Sequence, residues 1–442
     1  MITDPYIQYM YSYPHKTAYM PLDKLDVRDY FSCLLFQENS LYLHIPFCQY
    51  KCGYCNLFSV AGAEGLLMEE YINAVERQMK QYSEAMPEGV VFDDLTIGGG
   101  TPLMLSEELL ERLFSLVEQY FVLKPDAPVI METSPNQTTL QKLRCIKRLG
   151  VTRLSIGVQS FVEEELTVLC RKHSAMRARQ ALEAIRMVNF DTLNIDLIYG
   201  IPGQTVSSML YSLEQALLYE PEELFIYPLY IKPGTALWHR GAKRADTAYS
   251  CYLEVVQRLL AAGYQQLSMR RFIKKKNGET AASKPCGYSN TLSFGCGGRS
   301  YLSNLHFCTP YAVKQQQCKC ELDHYIGQED MTKITYRLLL DEEELKRRYV
   351  IKNLLFDRGI REEDYFAHYG EVVTEAFPVL KEWEQKEYVS VKEGFVSLTD
   401  IGRSYSDYLG PMLMSDEVVS RMKAWREGTF YYADTMVLSG KP

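Results

Sequence analysis

Three cysteines lie within eight residues of one another near the start of the chain. Cys48, Cys52 and Cys55 are spaced C-x3-C-x2-C in the segment HIPFCQYKCGYCNLFS (44–59). A structural zinc site normally takes four ligands, and no second C-x2-C pair lies nearby in the sequence. Three thiolates suit a [4Fe–4S] cluster in which three irons are bound by the protein and one is left open. A zinc site completed by a distant residue, or three buried thiols, are the alternatives that the spacing leaves open.

Composition limits the classes of function. The chain has 442 residues, a net charge of −8 and 47% hydrophobic residues, which allows a large core but argues against a general nucleic-acid binder. No apolar stretch reaches the length of a membrane span, and the first residues do not have the pattern of a signal peptide. We therefore expect a cytoplasmic protein whose twelve cysteines are reduced or metal-bound rather than paired in disulfides.

Short apolar runs alternate with helical patterns from residue 41 to about residue 231. The runs predict parallel strands buried on both faces, joined by right-handed crossovers. They are LYLHI (41–45), DLTIGG (94–99), PVIMET (128–133), TRLSIGV (152–158), LNIDLIYG (193–200) and LFIYPLYI (224–231). Helices are predicted at 106–121, 139–150, 176–188 and 208–219. Six such units are too few for a closed eight-fold barrel, so we predict an α/β fold with an open partial barrel or a doubly wound sheet. In either fold, ligands bind at the carboxyl ends of the strands.

We expect four segments along the chain. They are an N-terminal strap (1–40), the partial barrel (41–240), a barrel extension with substrate-side elements (241–335) and a C-terminal domain (336–442). In the last, helical patterns followed by the hairpin YVSVKEGFVSLT (388–399) predict a winged-helix shape. Because residues 341–410 carry 10 basic and 16 acidic residues, we expect a packing or lid module rather than a DNA reader.

Two further stretches allow two interpretations each. The aromatic run YSYPHKTAY (11–19) is either a strap over the site or an ordinary docking segment. The cationic run MRRFIKKK (269–276) is interpreted as a solvated loop, with contact to an acidic substrate or partner as the alternative.

The residues around the three cysteines resemble a known family. The segment LYLHIPFCQYKCGYCNLFS (41–59) resembles the signature of radical S-adenosylmethionine (SAM) enzymes, in the oxygen-independent coproporphyrinogen III oxidase-like branch, which also has haem-chaperone and class C methyltransferase relatives. Further stretches follow in the order of that family. They are IGGGTP (97–102), IMETSP (130–135), TRLSIGVQSF (152–161), CRKH (170–173), NIDLIYGIPGQT (194–205) and YPLYIKPGT (227–235).

The resemblance covers about residues 40–300 and implies a fold and a chemistry. The fold is a partial (β/α)6 radical SAM barrel with a mostly helical, winged-helix-like C-terminal domain. A [4Fe–4S] cluster would receive an electron from a donor such as flavodoxin or ferredoxin and would use it to cleave SAM. The resemblance allows one or two bound SAM molecules. The resulting 5′-deoxyadenosyl radical would abstract hydrogen from an organic small molecule, for which a tetrapyrrole of porphyrin biosynthesis is a candidate. The alternatives are a class C-type radical SAM methyltransferase, a haem- or cofactor-binding chaperone without turnover, and a winged-helix regulator that uses the cluster as a redox sensor.

The resemblance also assigns roles by position. Cys48, Cys52 and Cys55 would bind the cluster, Glu132 is a candidate catalytic residue, and Arg299 is a candidate substrate anchor. Carboxylates suit ribose hydroxyls or an ammonium group, and a guanidinium suits a carboxylate. The implied SAM contacts are Tyr42, Tyr54, Gly99, Gly100, Thr101, Glu132, Gln159, Arg171 and Asp196. We interpret His44 as structural and Cys170 as a buried thiol in a helix.

The sequence departs from the family pattern in three places. Leu57 stands where coproporphyrinogen oxidases of this type carry a further cysteine, and Asn56 replaces the common aspartate after the third cysteine. Haem-chaperone relatives carry an H-N-x-x-Y-W stretch, and the corresponding run SNTLSF (289–294) has serine, serine and phenylalanine at the histidine, tyrosine and tryptophan positions. These departures leave the substrate open.

Overall fold

The computed structural model describes residues 4–10, 12–275 and 287–427. The strands are β1 (Met20–Asp26), β2 (Asn39–Ile45), β3 (Phe47–Cys48), β4 (Val60–Ala61), β5 (Asp94–Gly99), β6 (Val129–Thr133), β7 (Arg153–Gln159), β8 (Thr192–Tyr199), β9 (Glu223–Pro228), β10 (Tyr264–Gln266), β11 (Arg271–Lys274), β12 (Asn290–Phe294), β13 (Arg299–Leu302), β14 (Leu305–Cys308), β15 (Lys333–Leu339), β16 (Ile360–Arg361), β17 (Val389–Lys392) and β18 (Phe395–Leu398).

The α-helices are α1 (Gly65–Ser83), α2 (Glu107–Tyr120), α3 (Leu140–Arg148), α4 (Glu163–Val168), α5 (Ala175–Val188), α6 (Val206–Leu217), α7 (Ala236–His239), α8 (Ala248–Ala261), α9 (Gln315–Gly327), α10 (Glu342–Leu354), α11 (Glu362–Tyr369), α12 (Val373–Ala376), α13 (Val379–Gln385), α14 (Asp400–Ser404), α15 (Ser406–Met412) and α16 (Asp416–Glu427). Short 3-10 helices occur at Lys16–Ala18, Val27–Leu35, Pro102–Met104 and Pro135–Gln137. Within the described part of the chain, no helix is both long and apolar enough to cross a membrane.

A single large sheet organises the molecule. Its strand order is β1-β15-β14-β13-β12-β2-β5-β6-β7-β8-β9-β11-β10. The six strands predicted from residues 41–231 are β2 and β5–β9, and they pair in parallel in that order, which confirms the predicted α/β unit. One parallel strand was not predicted, because β12 pairs with β2 across more than 200 residues of sequence. Antiparallel strands complete both edges of the sheet.

Helix boundaries follow local signals in the sequence. The Ser106 hydroxyl accepts a hydrogen bond from the Leu109 amide and caps α2, whose first turn carries two glutamates. The helix α3 is followed at Gly150 by a residue with φ of +92°, a conformation that glycine adopts without a steric penalty. The helices between strands bury one apolar face against the sheet, so the strand ends are held in register at one edge.

The cationic run at 269–276 is not a solvated loop. Residues 271–274 form β11, which pairs with β9. Arg271 bonds to the buried carboxylate of Glu223, and Arg270 is buried against Asp407. The prediction was wrong because the charges are neutralised by acids that are distant in sequence. Lys276 lies outside the described residues.

The C-terminal part forms a second hydrophobic core. The three-stranded sheet β16-β18-β17 packs beside the helices, and the predicted hairpin turns at Glu393 and Gly394, both with positive φ, as in a type I′ turn. This confirms a mostly helical, winged-helix-like domain. The N-terminal segment packs into the same core through Met10, Tyr13 and Tyr19. The limits of the four segments remain predictions.

One buried ion pair connects three parts of the chain. The carboxylate of Asp407, in α15, is fully buried and accepts bonds from the guanidinium of Arg270 and the hydroxyl of Tyr230. It also accepts a bond from the Met10 amide at 3.4 Å. The side chain therefore connects the C-terminal domain, the barrel extension and the N-terminal segment.

We expect Asp407→Ala to destabilise the whole chain. Removing one partner leaves a buried guanidinium unpaired, which costs about 3–5 kcal/mol. Urea unfolding followed by circular dichroism measures the loss. Asp323→Ala, at an exposed position of α9, is the matched control and should change the free energy of unfolding by less than about 0.5 kcal/mol. Equal effects of the two substitutions would show that the Asp407 pair is not a structural connection.

Candidate functional site

The cysteine loop (Cys48–Cys55) lies at the carboxyl edge of the parallel strands. It begins in β3, directly after β2, and its backbone is held at Gly53 from two sides. The Gly53 amide donates to the Leu169 carbonyl at 2.9 Å, and the Gly53 carbonyl accepts from the Leu237 amide at 2.8 Å. A Cβ at Gly53 would lie 2.9 Å from the Cys170 sulfur and 3.2 Å from the Leu169 oxygen, so a larger residue would have to displace these neighbours. The loop is thus packed closely against the segment around Leu169.

Two side chains hold the loop from a third side. The ammonium of Lys51 donates to the Val313 carbonyl at 2.7 Å. The hydroxyl of Tyr311 donates to the Asn56 carbonyl at 2.9 Å. Both contacts join the loop to the segment between β14 and α9, which is more than 250 residues away in sequence.

The three cysteine thiols lie close enough to influence one another. Burial, followed by the charges of Cys55 and Cys52, raises the pKa of Cys48 to about 12. Burial and the charge of Cys52 also raise the pKa of Cys55. Cys48 and Cys55 therefore resist ionisation in the ligand-free protein, and thiol donors of this kind fit a metal cofactor, whose charge favours the thiolate.

The described residues contain no group of three or more His, Cys, Asp or Glu side chains arranged to ligate one metal ion. In an iron–sulfur cluster each thiolate binds a different iron, and three thiols are the donor set of a [4Fe–4S] cluster with one open iron.

Glycines at the end of β5 bring backbone directly against the cysteine loop. The Gly100 amide donates to the Ile45 carbonyl and the Thr101 amide to the Phe47 carbonyl, each at 2.8 Å. A Cβ at Gly100 would lie 2.6 Å from the Phe47 oxygen and 3.0 Å from the Cys48 sulfur. The Thr101 hydroxyl itself is 3.9 Å from that sulfur. A side chain at Gly100 would therefore collide with β3, and glycine at this position lets the end of β5 pack directly against the cysteine loop.

Two predicted carboxylates face the barrel interior. Glu132, on β6, accepts the Gly99 amide at 3.0 Å, and burial raises its pKa although this bond lowers it. Asp196, on β8, accepts the side-chain amide of Asn194 at 2.7 Å, and burial raises its pKa to about 7. Neither carboxylate has a bonded cation in the described structure.

Gln159, at the end of β7, and Arg171, in the loop between α4 and α5, complete the predicted set. The guanidinium of Arg171 donates to the Cys52 sulfur at 3.2 Å and to the Gly157 carbonyl. Gln159 ends β7 with φ of +73°, at an irregularity in the pairing of β7 with β8. Among the described residues, the Nε atom of Arg171 and the Oδ1 atom of Asn194 are buried without a hydrogen-bond partner. Such orphan atoms leave bonds available to a polar ligand.

Two predicted aromatic residues border the same region. Tyr42, on β2, makes a 3.2 Å hydrogen bond to Nδ1 of His44. Tyr54, between Cys52 and Cys55, packs against a small apolar cluster made by Leu169, Ile198, Ile201, Leu229 and Leu237. The structure therefore brings together every residue that the resemblance assigned to SAM.

Arg299 belongs to a second group of charges, and its charge also acts on Tyr42. It starts β13 and donates to the Ser12 hydroxyl of the N-terminal segment at 2.8 Å. Burial and four cations hold the pKa of His15 well below its usual range, and those cations are Arg299, Lys16, Lys232 and Arg426. Burial and Arg299 also lower the pKa of Lys16 to about 7. Arg299 is thus part of a cationic group formed with the N-terminal segment.

Sequence reasoning missed several residues of this region. Lys16 and Lys232 occur in stretches that were quoted, YSYPHKTAY and YPLYIKPGT, but nothing local shows that they converge. Asn194 belongs to the stretch NIDLIYGIPGQT (194–205), from which only Asp196 was selected as a site residue. All three residues lie in stretches that had already been selected for other residues, and this position was the signal that could have identified them.

The remaining sequence interpretations are partly correct. His44 is structural, since its Nε2 lies 3.0 Å from the Phe58 carbonyl and its ring packs against Gly99 and Gly297. Cys170 is not in a helix: it follows α4 with φ of +55° and accepts a 3.2 Å bond from Arg240. The interpretation of Cys170 failed because α4 ends at Val168, and the chain then turns back to the cysteine loop.

Comparisons with known proteins agree with this geometry. The family model described as the radical SAM superfamily matches residues 42–216. The chain belongs to the radical SAM superfamily. It is 28% identical to the heme chaperone HemW of Bacillus subtilis over 383 residues, covering 82% of this chain and 96% of the relative. It is 31% identical to the heme chaperone HemW of Synechocystis, covering 61% of this chain and 67% of the relative.

A solved structure confirms the fold of this radical SAM chain. Coproporphyrinogen III oxidase (HemN) from Escherichia coli superposes with a TM-score of 0.79 at 22% identity, covering 92% of this chain and 96% of that one. Membership of the superfamily implies a [4Fe–4S] cluster and SAM. The individual roles of the residues described above remain predictions.

The pKa of Asp196 leads to a test in the ligand-free radical SAM protein. Because the folded-state pKa is raised from about 3.8 to about 7, the stabilising effect of the neutral form is complete below about pH 4 and is lost as pH rises through 7. Asp196→Asn removes the ionisation. We expect its thermal midpoint to exceed that of the wild type more at about pH 8 than at about pH 5.

Asp323→Asn, at an exposed position, serves as the control and should show the same difference from the wild type at both pH values. A constant advantage of Asp196→Asn across this range would contradict a raised pKa.

Proposed function

We propose that this protein is a radical SAM enzyme that removes a hydrogen atom from an anionic organic substrate, with a tetrapyrrole as the leading candidate class. Cys48, Cys52 and Cys55 hold the cluster. The observation that supports the proposal is the placing of three thiols at the carboxyl edge of the parallel strands, close to the buried Nε atom of Arg171 and Oδ1 atom of Asn194, which have no hydrogen-bond partner in the described structure. A purely structural metal site would need the thiols but not these polar atoms.

When bound, the cluster and SAM supply reductive cleavage of a carbon–sulfur bond and abstraction of a substrate hydrogen. The residues of this chain bind and orient. The backbone of Gly99 and Gly100 borders the cysteine loop, where the amino-acid end of SAM would lie, and the Arg171 guanidinium suits its carboxylate. Glu132 and Asp196 offer carboxylates to an ammonium group or to ribose hydroxyls. The apolar cluster around Tyr54 excludes water from the reacting centre.

The cationic group supports an anionic substrate. Lys16, Lys232 and Arg299 converge near His15, and their charges also influence one another. Mutual repulsion between buried cations is unfavourable, and a bound carboxylate relieves it. The N-terminal segment contributes Lys16 and His15, which favours its interpretation as a strap over the site.

The cluster ligands can be tested directly. We expect anaerobically reconstituted protein to be brown and to cleave SAM to 5′-deoxyadenosine when reduced. Replacing Cys48, Cys52 and Cys55 by alanine should abolish both colour and cleavage, because the cluster loses all its protein ligands. Replacing Cys33, Cys145 and Cys320 by alanine is the matched control and should preserve both. Absence of SAM cleavage by the reduced, iron-loaded protein would refute the proposal.

A second candidate is haem binding without turnover. It is favoured by the similarity of the chain to proteins named as heme chaperones. Against it, Phe294 packs in the core against Tyr82 and Phe121, and the Ser293 hydroxyl donates to the Arg299 carbonyl. The run SNTLSF (289–294) therefore forms β12, and it contains no histidine whose imidazole could bind a haem iron.

Haem titration separates the two candidates. We expect a haem titration followed by absorbance to show only weak binding that does not saturate at one equivalent, because Ser289 supplies no imidazole. A porphyrinogen added to the reduced protein should increase SAM consumption. Tight stoichiometric haem binding together with no substrate-dependent SAM consumption would support the chaperone instead.

A further inference from the structure

The imidazole of His306, on β14, is completely buried, and within the described residues neither of its ring nitrogens has a hydrogen-bond partner. The hydroxyl of Tyr19 is also buried without a partner, and the centroids of the two rings are 6.4 Å apart. Such atoms have lost their bonds to water without a replacement in the protein, which is unfavourable. They therefore indicate a place where a ligand or an ordered water supplies the missing bonds.

Two guanidinium groups lie beside the same position. Tyr301 is the direct neighbour of His306 in the pairing of β13 with β14, and the centroids of these rings are 4.6 Å apart. The guanidinium carbon of Arg348 lies 4.7 Å from the centroid of the Tyr301 ring, and that of Arg299 lies 5.7 Å from it. Because Arg348 belongs to α10 and Arg299 to β13, the C-terminal domain and the barrel extension each supply one cation.

Within the described residues, no carboxylate neutralises the charge of Arg348. Its side chain is 5% exposed, and its one side-chain hydrogen bond there runs to the Tyr13 carbonyl at 2.7 Å. The glutamates of α10 have other partners, which are Lys346 for Glu342, Arg347 for Glu343 and Tyr13 for Glu344. A buried charge without a counter-charge is unfavourable, so this position favours an anion.

The polar groups around this position suit an oxyanion. Burial, followed by the charges of Arg348 and Arg299, holds the pKa of His306 well below its usual range, so the ring is neutral and has one N–H to donate. Guanidinium N–H groups and the Tyr19 hydroxyl are donors as well. The lone pairs of a carboxylate accept such bonds, and a guanidinium is its strongest side-chain partner.

We propose that Arg348, His306 and Tyr19 form a buried oxyanion site that takes a carboxylate group. Arg299 acts on both His306 and His15, so the site continues the cationic group of the N-terminal segment towards the C-terminal domain. The carboxylate is either a free small anion or the second acid group of a substrate whose first acid group lies at the cationic group. The link to the substrate rests on the proposed function, whereas the site itself does not.

The first test is a titration of the full-length wild-type protein, and its readout does not depend on SAM cleavage. Protein labelled with 15N-histidine is titrated with sodium acetate, while sodium chloride keeps the ionic strength constant. The imidazole signals are followed by NMR, and His306→Gln assigns the signal of His306. We expect acetate to shift this signal and to raise the pKa of His306, because a nearby carboxylate favours the protonated ring. The signal of His324, exposed on α9, should stay constant.

Thermal unfolding in acetate and in chloride tests the arginine. We expect acetate to raise the midpoint of the wild type by about 1–2 °C, since it binds the folded state alone, and to leave that of Arg348→Gln unchanged. Arg361→Gln removes an exposed arginine of the same domain and should respond as the wild type does. The NMR titration uses the wild type, so it is decisive even if Arg348→Gln weakens the fold.

A larger probe separates the two sources of the carboxylate. The probe is a porphyrin with four carboxylate side chains, and its fluorescence reports binding. A carboxylate that belongs to the substrate predicts that Arg348→Gln weakens porphyrin binding about tenfold or more, and that Arg361→Gln changes it less than about twofold. Equal porphyrin affinities, together with an acetate-dependent signal of His306, would show that the site takes a free anion.

A signal of His306 that does not respond to saturating acetate would overturn the inference, since the site would then hold water only. Equal thermal responses of the wild type and Arg348→Gln would also overturn it. Absence of SAM cleavage in a protein that shows the acetate response would instead contradict the proposed function and leave the oxyanion site intact.

Discussion

The backbone hydrogen bonds on both sides of Gly53 are the constraint on which the rest of the site depends. They join the cysteine loop to the Leu169 carbonyl and the Leu237 amide, which lie in the segments that follow β7 and β9. A shift of the loop would break both bonds, and the contact between Gly53 and the Cys170 sulfur leaves little space for a side chain there. The three thiols and the apolar cluster around Tyr54 are positioned by this backbone.

Among the described residues, the buried carboxylate at the base of the C-terminal domain is bonded to a cation, whereas the carboxylates in the interior of the barrel are not. Asp407 is buried with two donors and an opposite charge, so its energy supports the fold. Glu132 and Asp196 are shielded from water without a bonded cation, and Lys16 lies near other cations. Such unsatisfied groups weaken the ligand-free protein, and they are typical of functional sites because a ligand can satisfy them.

Local patterns were sufficient for part of this structure. The strands β2 and β5–β9 are continuous apolar runs between helical stretches, so each could be recognised without knowing its neighbours. The strand β12 could not, since its partner β2 lies about 250 residues earlier. The strand β11 was read as a loop because Glu223 and Asp407, which neutralise its arginines, are remote in sequence. In the site, cysteine spacing located the loop, and ordered motifs selected residues that the fold places around it, but only the fold brings the charges of Lys16, Lys232 and Arg299 together near His15.

The contact between Lys51 and the Val313 carbonyl also bears on how the protein is made. Residues 48–55 leave the ribosome early, yet the chain must continue past residue 313 before this contact and the pairing of β12 with β2 can form. Contacts between such distant residues are slow to form, because a long loop must close first. The three thiols are therefore translated long before they are enclosed. Their surroundings become complete only when about 70% of the chain has been synthesised, since residue 313 of 442 takes part in the contact.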